Sequence, residues 1–146
     1  MAKKYLFVIV SFIYAVMIFY LSSISSPPNP VPSSLFLFLH RKMVELGVEF
    51  LGIPFYFVYR YPDKFAHMML YMGFGLVLNP AIRSTVGRQP ELLSIIIGAI
   101  YGASDEYHQS FVPYRSASTS DLMADVAGLV LSQILLIAVG RLRVAK

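Results

Sequence analysis

The chain has 146 residues, of which 57% are hydrophobic and 14% charged, with a formal net charge of +4. A soluble domain carries roughly 25% charged residues; this composition, with a mean hydropathy of +0.65, excludes an ordinary water-soluble globule and a disordered chain, and dispersed glycines and prolines exclude collagen and coiled coil. The absence of cysteine excludes a disulfide framework and a thiolate metal site, and on so apolar a chain the basic residues act as membrane-topology signals, not as a nucleic-acid footprint.

The first apolar run is Tyr5 to Leu21, flanked by Lys3 and Lys4 and by a serine and proline cluster that includes Pro27, Pro28, Pro30 and Pro32. It exceeds the apolar core of about 7–15 residues of a secretory signal and lacks a small-x-small cleavage site, so an uncleaved first helix is expected. A segment of about forty residues follows that is too apolar for a plain loop. From Leu35 to Leu51 it carries Arg41, Glu45 and Glu49 at helical spacing among apolar residues, the pattern of a helix lying in the outer interface. The tyrosine-rich stretch Ile53 to Pro62 suits headgroup depth. A second span is expected from Asp63, as N-cap, to about Ile82, and a third from Glu91 to about Phe111, polar in its last two turns. The fourth opens behind Ser118-Thr119-Ser120-Asp121 and ends at Gly140. The expected fold is an all-α membrane protein, a single domain over residues 1–146, with four transmembrane helices plus an interfacial amphipathic helix in the first outer loop.

Orientation follows from the basic residues. Lys3, Lys4, Arg83, Arg88, Arg141, Arg143 and Lys146 fall on one side, and Arg41, Lys42, Arg60, Lys64 and Arg115 on the other. The excess places both termini in the cytoplasm.

Ionisable side chains within the spans concentrate at one depth. Asp63, His67, Tyr71, Gly75 and Asn79 follow at steps of four on the second span, with Lys64 beside His67; Gly98, Gly102, Glu106 and Gln109 share a face of the third, next to Asp105 and His108; Asp121, Asp125, Gly128 and Ser132 line up on the fourth. At about 1.5 Å per residue, Glu106 stands roughly 22 Å beyond Glu91, in a core of roughly 30 Å. His67 and Asp125 lie about one turn in from the outer ends of their helices and reach the same level. A charge there is costly unless it faces the bundle and finds a partner or water. Arg115, in the loop Val112 to Asp121, is the obvious cation: its planar fork suits carboxylate or phosphate, and it is placed to bend onto Glu106 or Asp121 or to meet an anionic ligand.

Plainer roles compete. Asp63 and Asp121 suit helix capping, Lys64 suits snorkelling, the glycine pairs Gly98/Gly102 and Gly73/Gly75 suit close helix packing, and Tyr56, Tyr59, Tyr61 and Tyr114 suit interface anchoring. His40 is expected in solvent. For His67, Glu106, Arg115 and Asp125 the plain alternative is a buried network that fixes helix register. At about 0.6 kcal/mol per interhelical bond on average, such a network does not need this many ionisable groups.

The stretch Asp63-Lys-Phe-Ala-His67-Met-Met-Leu-Tyr71-Met-Gly-Phe-Gly, and DEYHQSFVPYRSASTSD from Asp105 to Asp121 running on to Gly128, resemble the VanZ-like membrane family, associated with teicoplanin resistance. The resemblance covers about Asp63 to Val139, with the first span fitting loosely, and rests on the spacing of Glu106, Gln109, Arg115, Asp121 and Gly128. It implies a small bacterial inner-membrane protein with a polar set on its outer side; the family's name comes from a member associated with low-level resistance to the glycopeptide teicoplanin. Two positions depart from the family's pattern: Asp125 stands where Asn is expected and Tyr114 where Gly is expected.

Three functions are weighed. The first is binding or shielding of an anionic lipid or lipid-linked peptidoglycan precursor, with Arg115, Gln109, Asp105, Lys64, Tyr71, Asp121 and Ser116 as ligand-binding residues and glycopeptide tolerance as the outcome. The second is an enzyme acting on such a lipid, with Glu106 and Asp125 as acid and base and His67 as proton relay. A metal on His67, Glu106 and Asp125 is a variant of it, since histidine with carboxylates suits zinc or iron. No H-x-x-x-H or H-E-x-x-H pair supports that variant, so no metal or other cofactor is expected, and no Gly-x-Ser-x-Gly elbow or P-loop occurs. The third is ion transport along the stripe Asp63 to Asn79, which the sparse polar groups of the inner half disfavour. Membrane lipids are the expected partners, without nucleic acid, and the sequence leaves the oligomeric state open.

Overall fold

The computed structural model describes residues 2–26 and 31–144, all of whose regular structure is helical. Six helices follow in order: α1 (Ala2–Ser22), α2 (Ser33–Glu45), α3 (Glu49–Arg60), α4 (Pro62–Thr85), α5 (Pro90–Gln109) and α6 (Thr119–Val144). Three are long and apolar enough to cross a membrane, over Lys4–Ser22, Pro62–Thr85 and Thr119–Arg141, and mark the chain as a membrane protein. α5 has 20 residues, but Ser104, Asp105, Glu106, His108 and Gln109 fill its last two turns. Polar content, not length, sets it apart from the other three.

The helices form two compact units, one of residues 1–27 with 67–146, the other of residues 28–66. In the second unit the expected single helix from Leu35 to Leu51 is broken. Gly47 takes φ 71, and the Gly47 and Val48 amides donate to the carbonyls of Val44 and Met43 at 3.0 Å each. This is a Schellman cap, in which a glycine adopts the left-handed conformation and turns the chain out of the helix. The tyrosine-rich stretch after it is also helical: α3 holds Pro54 in its interior, and the ring forgoes one backbone hydrogen bond there. His40, expected in solvent, instead ties α2 to α3. Its Nδ1 lies 3.0 Å from the Gly52 carbonyl oxygen and its ring rests 5.1 Å from that of Tyr56. Gly52 is required by this approach, since a Cβ there would fall 2.9 Å from His40 Nδ1 and 3.2 Å from Met43 Cβ.

The core of the first unit is formed by Ile18, Tyr71, Phe74, Leu78, Ile82 and Leu129, from α1, α4 and α6, with Leu93, Ile95, Ala99 and Tyr101 of α5 packed against it. Phe74 sits among three tyrosines, its ring centroid 6.0 Å from Tyr14, 6.1 Å from Tyr71 and 5.4 Å from Tyr101. The outward faces keep large apolar side chains exposed, such as Phe12, Ile13 and Tyr20 on α1 and Ile134 and Leu135 on α6. Lipid covers such a surface at no hydrophobic cost.

Helix association without a hydrophobic force relies on close approach and interhelical hydrogen bonds, and both are present. A Cβ on Gly128 would run into the backbone of α4, at the Met68 carbonyl and 2.8 Å from the Met72 nitrogen, and one on Gly98 would meet the Leu129 side chain. α1 docks by donating hydroxyl hydrogen bonds to carbonyls of α4, from Ser11 to Val77 at 2.9 Å and from Tyr14 to Leu70 at 3.0 Å, and it accepts one from Tyr101 at the Ala15 carbonyl at 2.6 Å. Near Gly75, Asn79 Nδ2 donates to Gln133 Oε1 at 2.7 Å, and Gln133 Nε2 donates to Ser132 Oγ at 2.7 Å. Gly87, with φ 75, ends the turn after α4, and Arg83 pairs with Glu91 at 2.5 Å across the start of α5.

Candidate functional site

Spacing alone brings the polar residues of each helix onto one face, and the packing of α4, α5 and α6 then turns these faces together. On α4, Tyr71, Gly75 and Asn79 are buried and His67 is nearly so, with 15% of its side chain exposed. On α5 the buried stripe runs Ser94, Gly98, Gly102, Asp105, Glu106 and Gln109. On α6, Asp125 is fully buried, as are Leu129 and Ser132. The start of α4 departs from the stripe: Pro62 opens the helix, so Asp63 lies in its first turn instead of capping it, and its side chain is 61% exposed and paired with Lys64 at 2.9 Å. Lys64 belongs with the second unit.

At the centre, His67 Nδ1 lies 2.9 Å from Asp125 Oδ1 and 4.0 Å from Glu106 Oε1. The other oxygen of Glu106 accepts the Ser118 backbone N–H at 2.7 Å. Gly102 leaves room beside this group, because a Cβ there would stand 3.3 Å from both Asp125 Oδ2 and Tyr71 Cε1. Among the described residues, four buried side-chain polar atoms have no hydrogen-bond partner: Tyr71 OH, Asp105 Oδ1, Glu106 Oε1 and Asp125 Oδ2. An unsatisfied buried polar atom costs about 1–3 kcal/mol, and more when charged. A network built only to hold helices in register would satisfy its own atoms.

The loop after α5 folds back on the helix that precedes it. Gln109 Nε2 donates to Asp105 Oδ2 at 3.1 Å, and Gln109 Oε1 accepts from Arg115 Nε at 3.2 Å and Nη2 at 2.5 Å. Arg115 therefore rests on a neutral carboxamide, not on Glu106 or Asp121 as its position in sequence suggested. Among the described residues no carboxylate lies within ion-pair distance of it. Arg115 is aimed by a tight turn in which its N–H donates to the Val112 carbonyl at 3.1 Å, Pro113 holds the second position, and Tyr114 takes φ 63 at the third. A proline followed by a left-handed residue is the pattern of a type II turn, whose third position favours glycine. That explains why glycine is the residue expected at 114.

Ser118, not Asp121, caps α6: its Oγ accepts the Asp121 N–H at 3.3 Å and its carbonyl accepts it at 3.1 Å. Asp121 then sits in the first turn, where a negative charge favours the helix dipole. Ser116 is exposed on the loop. His108 meets the end of α1, 3.1 Å from the Oγ of Ser23 just beyond it and tilted against the Phe19 ring with centroids 4.4 Å apart.

Of the residues singled out in the sequence, His67, Tyr71, Asp105, Glu106, Gln109, Arg115 and Asp125 are thus gathered by α4, α5, α6 and their connecting loop. Two contributors went unrecognised. Ser118 holds Glu106 through its backbone, which no side-chain pattern records. Gln133 answers Asn79, and it had a signal, being a long polar side chain eight residues after Asp125 and thus close to the same face.

Three of these side chains, His67, Glu106 and Asp125, offer one ligand atom each within 4.8 Å of one another. That set suits proton transfer between imidazole and carboxylate, and equally the binding of a divalent ion.

Comparison with known proteins reaches the same part of the chain and more. Neither the curated proteins nor the solved structures gave a match. The model of the VanZ/LLP1 family matches residues 8–140, so the similarity takes in α1 as well as the polar set on α4, α5 and α6. Over nearly its whole length, then, the chain belongs to the VanZ/LLP1 family.

Proposed function

We propose that this protein binds the phosphate-bearing headgroup of an anionic lipid or lipid-linked cell-wall precursor at the end of the bundle where His67 of α4, the end of α5 and the start of α6 come together. The observation that carries this reading is the state of Arg115. Its guanidinium is positioned by Gln109 and is not consumed by a carboxylate. A fork of N–H donors fixed in place by a neutral partner is the arrangement that takes a phosphate bidentately. Family membership supports a membrane protein linked to glycopeptide resistance, and sequestering an envelope lipid would express itself as teicoplanin-type tolerance.

In this reading α5 is a fourth span whose polar last turns face the bundle, the protein resides in the bacterial cytoplasmic membrane, and both termini are cytoplasmic. The pocket then opens outward. Reporter fusions at Arg88 and Ser116 test this topology and are expected to report opposite sides. The functional test is a tolerance assay in which wild type is compared with Arg115→Lys, which keeps charge but loses the fork, and with Glu106→Gln. Loss of tolerance in Arg115→Lys supports phosphate recognition, and unchanged tolerance in both variants refutes the pocket.

A second reading rests on a separate observation, the 2.9 Å contact of His67 Nδ1 with Asp125 Oδ1. A histidine oriented by a buried carboxylate is the arrangement of a general base, and an enzyme acting on a lipid-linked envelope substrate would use it with Glu106. In that case Glu106→Gln retains the ligand but abolishes turnover.

A further inference from the structure

We propose that His67, Glu106 and Asp125 bind one divalent transition-metal ion of the zinc class. Each residue comes from a different helix, and the three ligand atoms lie within 4.8 Å of one another. One imidazole nitrogen with two carboxylate oxygens is a donor set for zinc or iron, whereas magnesium and calcium prefer oxygen ligands alone.

Distances support the assignment. Bonds of about 2.0–2.1 Å in a tetrahedral zinc site place ligand atoms roughly 3.4 Å apart. The two separations from His67 Nδ1, 2.9 Å to Asp125 Oδ1 and 4.0 Å to Glu106 Oε1, stand on either side of that value. Small rotations of side chains close the set around an ion.

Independent of the cluster's composition, two of its oxygens lack a hydrogen bond. Glu106 Oε1 and Asp125 Oδ2 are buried without a hydrogen-bond partner, in residues only 5% and 0% exposed. A doubly charged cation held by Glu106 Oε1 and by either oxygen of Asp125 neutralises both carboxylates where an uncompensated charge is most costly. The remaining oxygen of Glu106 is already fixed by the Ser118 N–H at 2.7 Å, an outer contact of the kind that orients a metal ligand. Three protein ligands leave a fourth position open to water or to an oxygen of a bound molecule, as in catalytic rather than structural zinc sites. Tyr71 OH, buried and unpartnered, is the nearby polar group that such a ligand would engage. The inference does not depend on lipid binding, because the ion is held by residues other than Arg115.

The test uses the full chain in detergent, stripped with EDTA, incubated with zinc, desalted and counted by elemental mass spectrometry. Wild type is expected to retain one zinc per chain with magnesium in excess. Glu106→Gln and Asp125→Asn, which keep side-chain shape, are expected to lose affinity by about a hundredfold or more, above the 10–100-fold effect of outer-shell partners. Circular dichroism checks that the variants keep their helices. Cobalt substitution of wild type reports geometry without any variant: intense visible bands of four-coordinate cobalt support the site, and the weak spectrum of octahedral aquo-cobalt overturns it. Wild type free of retained zinc, or variants with wild-type affinity, also overturn it. Lipid retention plays no part in these readings, so failure of the lipid proposal and failure of this one are distinguishable.

Discussion

Gly128→Ala isolates the contact that brings α4 and α6 together at the site. The added Cβ would meet the Met68 carbonyl oxygen and stand 2.8 Å from the Met72 nitrogen. Both are backbone atoms of a helix, so no side chain can swing aside. Restoring an ordinary contact of about 3.4 Å would take roughly 0.6 Å at the Met72 nitrogen alone and more at the Met68 oxygen, which is the closer of the two, and a gap of 0.5–1 Å already forfeits a quarter to a half of each dispersion contact along the seam. Overpacking of this kind costs about 1–3 kcal/mol. The effect extends to chemistry, because Met68 adjoins His67 and Gly128 lies three residues from Asp125. A hydrogen bond of 2.9 Å lengthened by more than about 0.6 Å passes roughly 3.5 Å, beyond which it no longer counts as one. The assay is thermal unfolding in detergent against Gly140→Ala, whose Cβ would meet nothing within 4 Å and which gains about 0.5–1 kcal/mol of helix propensity. We expect Gly128→Ala to melt well below wild type and Gly140→Ala at or above it. If the two variants melt together, the backbone approach of α4 and α6 does not organise this end of the molecule.

Asn79→Leu is expected to destabilise by about 1–3 kcal/mol, because Gln133 Oε1 loses the donor that lies 2.7 Å away. The double variant Asn79→Leu with Gln133→Leu is expected to show a coupling of about 0.6–1.7 kcal/mol in an equilibrium unfolding cycle, and additivity would refute the pair. Tyr114→Gly is expected to raise stability by about 1 kcal/mol, since the left-handed conformation at φ 63 costs a side chain roughly that much; Tyr114→Ala, which keeps a Cβ, is expected to give no such gain. Exposed and far from the core, with 96% of its surface accessible, Tyr114 has no packing to lose, so a destabilised glycine variant would contradict the turn assignment.

The spans and the polar stripes were legible because both are periodic. Hydrophobic length marks α1, α4 and α6, and steps of four residues put His67 with Tyr71, and Gly102 with Glu106, on single faces. Boundaries moved where a local bond decides. Ser118 and Asp121 are both good caps by composition, and only the chain's path shows that Ser118 takes the role. The segment between α1 and α4 divides at Gly47 because a glycine in the left-handed conformation closes α2, whereas its apolar periodicity continues across the break. Arg115 was recognised as the cation, but its partner was not, because carboxylates nearby in sequence are stronger candidates than a neutral Gln109. The spacing of His67, Glu106 and Asp125 holds no metal motif, since the three come from separate helices and meet only through packing.

The central claim is that these helices end in a ligand site, and native mass spectrometry of the protein released from membranes tests it most directly. Wild type is compared with Arg115→Ala and Glu106→Gln for retained lipid. The account predicts a phosphate-bearing lipid or precursor that stays with wild type and with Glu106→Gln and leaves with Arg115→Ala. Bare protein in every sample, or lipid retained equally by Arg115→Ala, would contradict it.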